Sequence, residues 1–181
     1  MKIRWCAFNL FLLMAIFLIG CKTPEEKREA HLASRKKKEM STLRLHLETA
    51  NGLDTQAVPI LRSSPVMVKV ESDSFLDERD VVAASIKELI GGFVIQVEFN
   101  AHGKLVLDVT SASSRGRRVA IMSDFGEKRW LAAPTLSRHI TDGILVFTPD
   151  ATLEEAERIV NGLNNVAAKL KREESLLPIS W

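Results

Sequence analysis

SRGRRVAIMSDFGEKRWLAAP, residues 114–134, is the stretch whose reading decides the fold. Val119, Ala120, Ile121 and Met122 form an apolar run of the length of a buried strand. A polar break containing Gly126 follows, and Trp130, Leu131, Ala132 and Ala133 form a second apolar run closed by Pro134. Two short apolar runs around a glycine-bearing break predict a β-hairpin, with the glycine taking a positive φ in the connection. The stretch holds no nucleophile beside a base and no metal-ligand set.

Working outward, Leu43 to Glu48 (LRLHLE) alternates apolar and polar residues, which predicts a half-buried strand with His46 on its solvated face. Val58 to Leu61 reads as a short strand, interrupted by Ser63-Ser64-Pro65. Val66, Val68 and Val70 line one face of the next strand. Leu76 to Val81 reads as a short helical or turn segment. Residues 83–90 and the alternating Phe93, Ile95, Val97 and Phe99 form two strands joined at Gly91-Gly92. Asn100 is placed as the N-cap of a helix carrying Leu105, Val106, Val109 and Ala112 on one stripe. Asp142-Gly143 turns into a strand at Ile144-Leu145-Val146-Phe147. Thr152-Leu153-Glu154-Glu155 is a capping box, opening a helix with Ala156, Ile159, Val160, Leu163, Ala167 and Leu170 at helical spacing. The expected fold class is α+β: a mainly antiparallel sheet of hairpins with two amphipathic helices packed on one face.

The amino terminus points to a compartment. Met1-Lys2-Ile3-Arg4 is a positive start, and an apolar run to Ile19 follows, broken only at Asn9. That run is shorter than the roughly 20 residues a spanning helix needs and has the layout of a signal-peptide core. Leu18-Ile19-Gly20-Cys21 resembles a bacterial lipobox. The resemblance implies cleavage between Gly20 and Cys21, and attachment of palmitate-type acyl chains at Cys21. Several acyl chains anchor a protein firmly where one does so marginally. Lys22 after the cysteine favours the outer membrane over the inner under the proteobacterial sorting rule. With Cys6 leaving in the signal and Cys21 carrying lipid, no structural disulfide is expected. The expected division is a signal peptide (residues 1–20), a charged tether (21–41) and one α+β domain (42–181).

Charge and composition exclude several classes. The chain has 181 residues, 25 basic and 23 acidic. Without Lys2 and Arg4, 23 basic residues face 23 acidic ones, so no basic footprint for nucleic acid is expected. The four histidines, His31, His46, His102 and His139, share neither an i, i+4 face nor a cysteine partner, which argues against a zinc site. No nucleophile elbow or phosphate-cradling loop is present. No metal, cofactor or enzymatic activity is expected. Residues 22–40 carry so few apolar side chains that they form either a solvated helix or an extended arm. The candidate binding residues are the aromatics near the hairpin turn, Phe125 and Trp130, with Arg129 and Arg138 as a basic rim. Exposed rings and guanidinium groups commonly anchor interfaces. The competing reading of Trp130 is a strand residue packed on the core.

Several of these motifs occur together in one known family. Gly116-Arg117-Arg118 before Val119-Ala120-Ile121, then Ala132-Ala133-Pro134, Ile140-Thr141-Asp142-Gly143, Phe147-Thr148 and Glu154-Glu155-Ala156 resemble the head subdomain of the first periplasmic domain of SecD and SecDF translocase subunits. Residues 93–100 (FVIQVEFN) with Gly103 resemble that family's strand-to-helix entry. The resemblance covers about residues 66–168. It implies a head-like module facing the periplasm that contacts exported polypeptide or an export or envelope partner. The chain carries no transmembrane bundle or intramembrane carboxylate, so proton-driven translocation is not expected of it. The alternative is a structural or assembly lipoprotein of the envelope, unrelated to export.

Overall fold

The computed structural model describes residues 24–50, 52 and 54–176. The expectations placed on Gly20 and Cys21 lie outside the described residues. The chain divides into two units, residues 1–35 and residues 36–181. Helix α1, Pro24–Lys38, begins in the first and ends in the second. It is built as its charges require. Glu25 and Glu26 sit in its first turn and Lys36 and Lys38 at its end, each sign opposite to the helix dipole there. Every residue from 24 to 36 is exposed. Of the two readings offered for this arm, the helical one holds.

In the second unit the expected antiparallel α+β fold is present, divided among three sheets. Strands β1 (Thr42–Leu47), β4 (Leu76–Asp77), β7 (Val119–Asp124) and β8 (Lys128–Ala132) form the first, in the order β4-β1-β7-β8. Strands β2 (Thr55–Ile60) and β3 (Val66–Glu71) form a two-stranded hairpin, and β5 (Val81–Leu89), β6 (Gly92–Phe99) and β9 (Ile144–Phe147) form a third sheet in that order. A single 3-10 turn, Glu78–Asp80, links β4 to β5. The decisive hairpin is β7–β8, with Gly126 at φ 97° in its turn.

The alternation in β1 sets the layering. Leu43, Leu45 and Leu47 point into the main core with Val119, Ile121 and Leu131, where they meet Ile95 and Val97 of the third sheet. Helix α3, Leu153–Leu176, lays Ala156, Ile159, Val160 and Leu163 into the same core. Each fully buried aliphatic side chain contributes about 1.5–3 kcal/mol. The opposite face of the first sheet is covered by the β2–β3 hairpin. Val58, Ile60, Val68 and Val70 close over Ala120, with Trp130 and Ala133 packed against them. The sheet is therefore buried on both faces, and β7 reads as a continuous apolar run for that reason.

Caps form as read from the sequence. The Asn100 side chain accepts from the Gly103 N–H at 2.8 Å and starts helix α2, Ala101–Ser113. The Thr152 hydroxyl accepts from the Glu155 N–H at 3.2 Å, and the Glu155 carboxylate accepts from the Thr152 N–H at 2.8 Å. Helix α3 also holds the outer strand of the third sheet. The Asn164 side chain accepts from the Ala84 N–H at 2.8 Å and donates to the Ala84 carbonyl at 3.0 Å.

Two expectations are corrected. The buried stripe of α2 is Gly103, Leu107 and Ser111; of the expected stripe Val106 packs against the core, whereas Leu105 and Val109 are 61% and 58% exposed and Ala112 is exposed too. The helix enters so close to β6 that a Cβ on Gly103 would stand 2.9 Å from Phe99 Cβ and 3.0 Å from Asp80 Cβ. That close approach sets which face turns inward, with Leu107 as its large apolar member in the main core. His46, expected in solvent, is buried because the β2–β3 hairpin covers the face it occupies.

Candidate functional site

The β2–β3 hairpin bounds the candidate site. Its turn, residues 61–65, contains no glycine, yet Leu61 adopts φ 72°. This left-handed conformation costs a side-chain-bearing residue about 1–2 kcal/mol. Such strain persists only where the surroundings over-determine it, and it concentrates at functional positions. Leu61 remains 44% exposed and borders two recesses. The larger, about 380 Å³, is a mainly apolar groove between Ile60, Leu61 and Val66 of the hairpin, Ala132 at the end of β8, Pro134 beyond it and Phe147 at the end of β9, with Arg118 and Thr148 also in its wall. The second, about 330 Å³, lies on the side of Pro59, Lys128 and Trp130. Strands β8 and β9 are each the last of their sheets, so among the described residues each has one edge without a neighbouring strand, although the Asp150 N–H donates to the Leu131 carbonyl of β8 at 2.7 Å.

An ionic cluster fixes the hairpin turn to the start of α3. The Arg62 N–H donates to the Asp150 carboxylate at 2.6 Å, and its guanidinium donates to Glu155 at 3.0 Å. Arg129 reaches the same carboxylate at 3.0 Å and the Asp150 carbonyl at 2.8 Å. Burial alone would raise the Glu155 carboxyl, but the Thr152 N–H and the Arg129 and Arg62 guanidinium groups hold it at about 2.

The hairpin's other end is tied to β1. His46 Nδ1 lies 2.9 Å from the Glu71 carbonyl, which can only accept, so the proton sits on Nδ1. Nε2 is buried without a partner, and the imidazole meets the Trp130 indole edge-on at 5.1 Å. Burial pushes the His46 pKa down, and Arg44 and Lys128 add to this against the opposing Glu71 carbonyl and Asp73. Glu48 receives three bonds from Arg118, from its N–H at 2.8 Å and from its guanidinium at 3.0 and 2.5 Å. The Arg118 guanidinium hydrogen bond is the main reason its carboxyl is held below the usual range.

The four residues singled out from sequence are not brought together as a binding surface. Phe125 is only 5% exposed, between the guanidinium groups of Arg129 (5.3 Å) and Arg158 (5.7 Å). Its ring is a core element, which corrects the reading of an exposed anchor. Arg129 is almost wholly buried in the ionic cluster, which corrects the reading of a basic rim. Trp130 is half-buried against the hairpin, in line with the packed alternative. Arg138 is exposed and pairs with Asp142 at 4.0 Å. Sequence reasoning missed Leu61, Arg62, Asp150 and Glu155 as a group. The turn residues Ser63-Ser64-Pro65 marked the place, but a leucine in a glycine-like conformation leaves no trace in a sequence.

Among the described residues no cluster of histidine, cysteine or carboxylate groups is arranged to hold a metal, and no helix is long and apolar enough to cross a membrane. No protein-family model matches the chain, and no curated protein matches it. Solved structures do. One is SecDF, described as a membrane component that enhances protein export; it aligns at TM-score 0.53 and 17% identity, over 82% of this chain and 71% of that one. Another is SecDF in a super-membrane-facing form, at TM-score 0.56 and 16% identity, over 80% of this chain and 21% of that one. The resemblance to SecDF read from the motifs is therefore present in three dimensions as a likeness of fold. This chain spans about a fifth of the second structure's chain.

Proposed function

We propose that this protein is a lipid-anchored component of the bacterial cell envelope that holds extended, apolar polypeptide in the groove beside Leu61. The observation that carries the reading is the groove itself. It is mainly apolar with Arg118 and Thr148 in its wall, about 380 Å³ in volume, and bounded by the ends of two terminal strands and a strained leucine. A pocket of that size accepts one or two large side chains, while a free strand edge supplies backbone hydrogen bonds to an extended chain. The protein acts by binding, without chemistry of its own and without a cofactor. Anchoring comes from acyl chains on Cys21, which face the domain to the periplasm. The SecDF structures with this fold belong to a component that enhances protein export, which supports an exported chain as the occupant.

A photo-crosslinking residue at position 61 of the full chain, expressed in cells, tests the groove. Adducts with polypeptides in transit through the envelope are expected, at several times the yield from position 105 on α2. Equal yields from the two positions would remove the groove as the binding site. Anchoring is tested separately by acyl labelling, which Cys21→Ser should abolish.

A further inference from the structure

The β5–β6 hairpin ends in an apex that nothing in the described chain covers. Strand β9 pairs with β6 only from Ile95 to Glu98. The hairpin continues past it through Lys87↔Val94, Glu88↔Phe93 and Leu89↔Gly92. Its last five residues, Leu89, Ile90, Gly91, Gly92 and Phe93, contain neither a charge nor a polar side-chain atom. Phe93 leans back on the main core, while Leu89 is 59% exposed and Ile90 fully so. A Cβ placed on Gly91 or Gly92 would meet no atom within 4 Å.

The turn does not need this composition. Gly91, at φ 90°, supplies the left-handed residue. The position before it is ordinarily filled by a polar or small residue, and a β-branched side chain gains nothing there for the fold. Single exposed aliphatics are ordinary on protein surfaces. Two adjacent ones at a chargeless tip form a surface that none of the described residues buries.

We propose that this apex dips into a lipid bilayer, at the boundary between headgroups and acyl chains. The tip offers no side chain for directional recognition, which a protein partner's polar rim would use and a lipid boundary does not require. Its backbone is paired across the hairpin at Leu89↔Gly92, which lowers the cost of leaving water. From Ile90 back to the Lys87–Glu88 rung is two to three residues, roughly 7–10 Å at strand rise. That matches the roughly 5–10 Å to which interfacial segments bury their apolar side chains. Lys87 and Glu88 then mark the waterline. The proposal rests on the envelope anchoring above for the source of the bilayer, and its test reads the two apart.

The experiment uses the full chain with Ile90→Cys carrying a polarity-sensitive fluorophore. The same label at Leu105→Cys is the solvent control, and the labelled parent chain gives the background from Cys6 and Cys21. Both substituted positions are exposed, so neither variant threatens the fold. On addition of phosphatidylethanolamine–phosphatidylglycerol vesicles, a blue shift and a several-fold rise in emission are expected at position 90 and not at 105. Equal responses at the two positions overturn the proposal, whether or not the chain floats with the vesicles. So does a response at 90 that grows with protein concentration in the absence of lipid, which would identify a second copy as the occupant. A response at 90 in a chain without acyl label on Cys21 would sustain the apex and overturn only the anchoring.

Discussion

Leu61 and His46 carry the residue-scale consequences, because each is held in a state it would not choose alone. At Leu61 the backbone is left-handed, so removing the side chain while keeping a Cβ leaves the strain in place. Glycine relieves it. The usual order, in which alanine is the less damaging replacement, should therefore reverse: Leu61→Gly should be more stable than Leu61→Ala by about 1 kcal/mol in urea unfolding. His46 is buried neutral, with its pKa lowered first by burial and then by Arg44 and Lys128. Below the ordinary histidine value of about 6.5 the unfolded chain binds a proton that the folded chain refuses, so stability falls as pH drops. Unfolding midpoints at pH 7 and pH 5 should differ less in His46→Gln than in the parent protein, even though the variant is weaker at both.

Elements are joined by contacts that differ in how visible they are in the sequence. The capping boxes and hairpins are local, so the chain announces them: Asn100, Thr152 to Glu155 and Gly126 stand in the structure where their spacing put them. The facing of α2 and the covering of His46 depend on partners far along the chain. Local apolarity at Leu105 and Val109 could not reveal that Gly103 would be the residue pressed against Phe99. The ionic cluster at the hairpin turn was hidden for the same reason, since Arg62 and Glu155 are 93 residues apart. Its pH behaviour follows from Glu155. A carboxyl held at about 2 contributes stability that is fully present above its ordinary value of about 4.5, and that is lost as pH falls from there towards about 2. Glu155→Gln keeps a capping oxygen and removes the charge, so it should cost about 1 kcal/mol at neutral pH, with the difference from the parent vanishing near pH 2. Where α3 crosses β1, a Cβ on Gly162 would stand 2.1 Å from Ser41 Oγ and 2.6 Å from its backbone nitrogen. Alanine at a mid-helix glycine ordinarily stabilises by about 1 kcal/mol. Here Gly162→Ala should lower thermal stability by about 2 kcal/mol through overpacking.

At the scale of the whole molecule, the fold presents several strand edges and treats them unequally. The β2–β3 hairpin shields one face of the first sheet, and β8 and β9, each the last strand of its sheet, end beside the groove. The outer strand β5 has one residue, Ala84, tied off by a side chain. Asn164 satisfies both the N–H and the carbonyl of Ala84, as a neighbouring strand would. Unpaired edges are templates for joining one molecule to the next, so this amide works as a stopper against polymerisation through the third sheet. Asn164→Leu keeps the volume and bares the edge. It should leave the monomer folded by circular dichroism and make light scattering rise with concentration and time. Chance encounters between copies grow with their local concentration, and a single asparagine is the side chain that stands between such an encounter and a fibre.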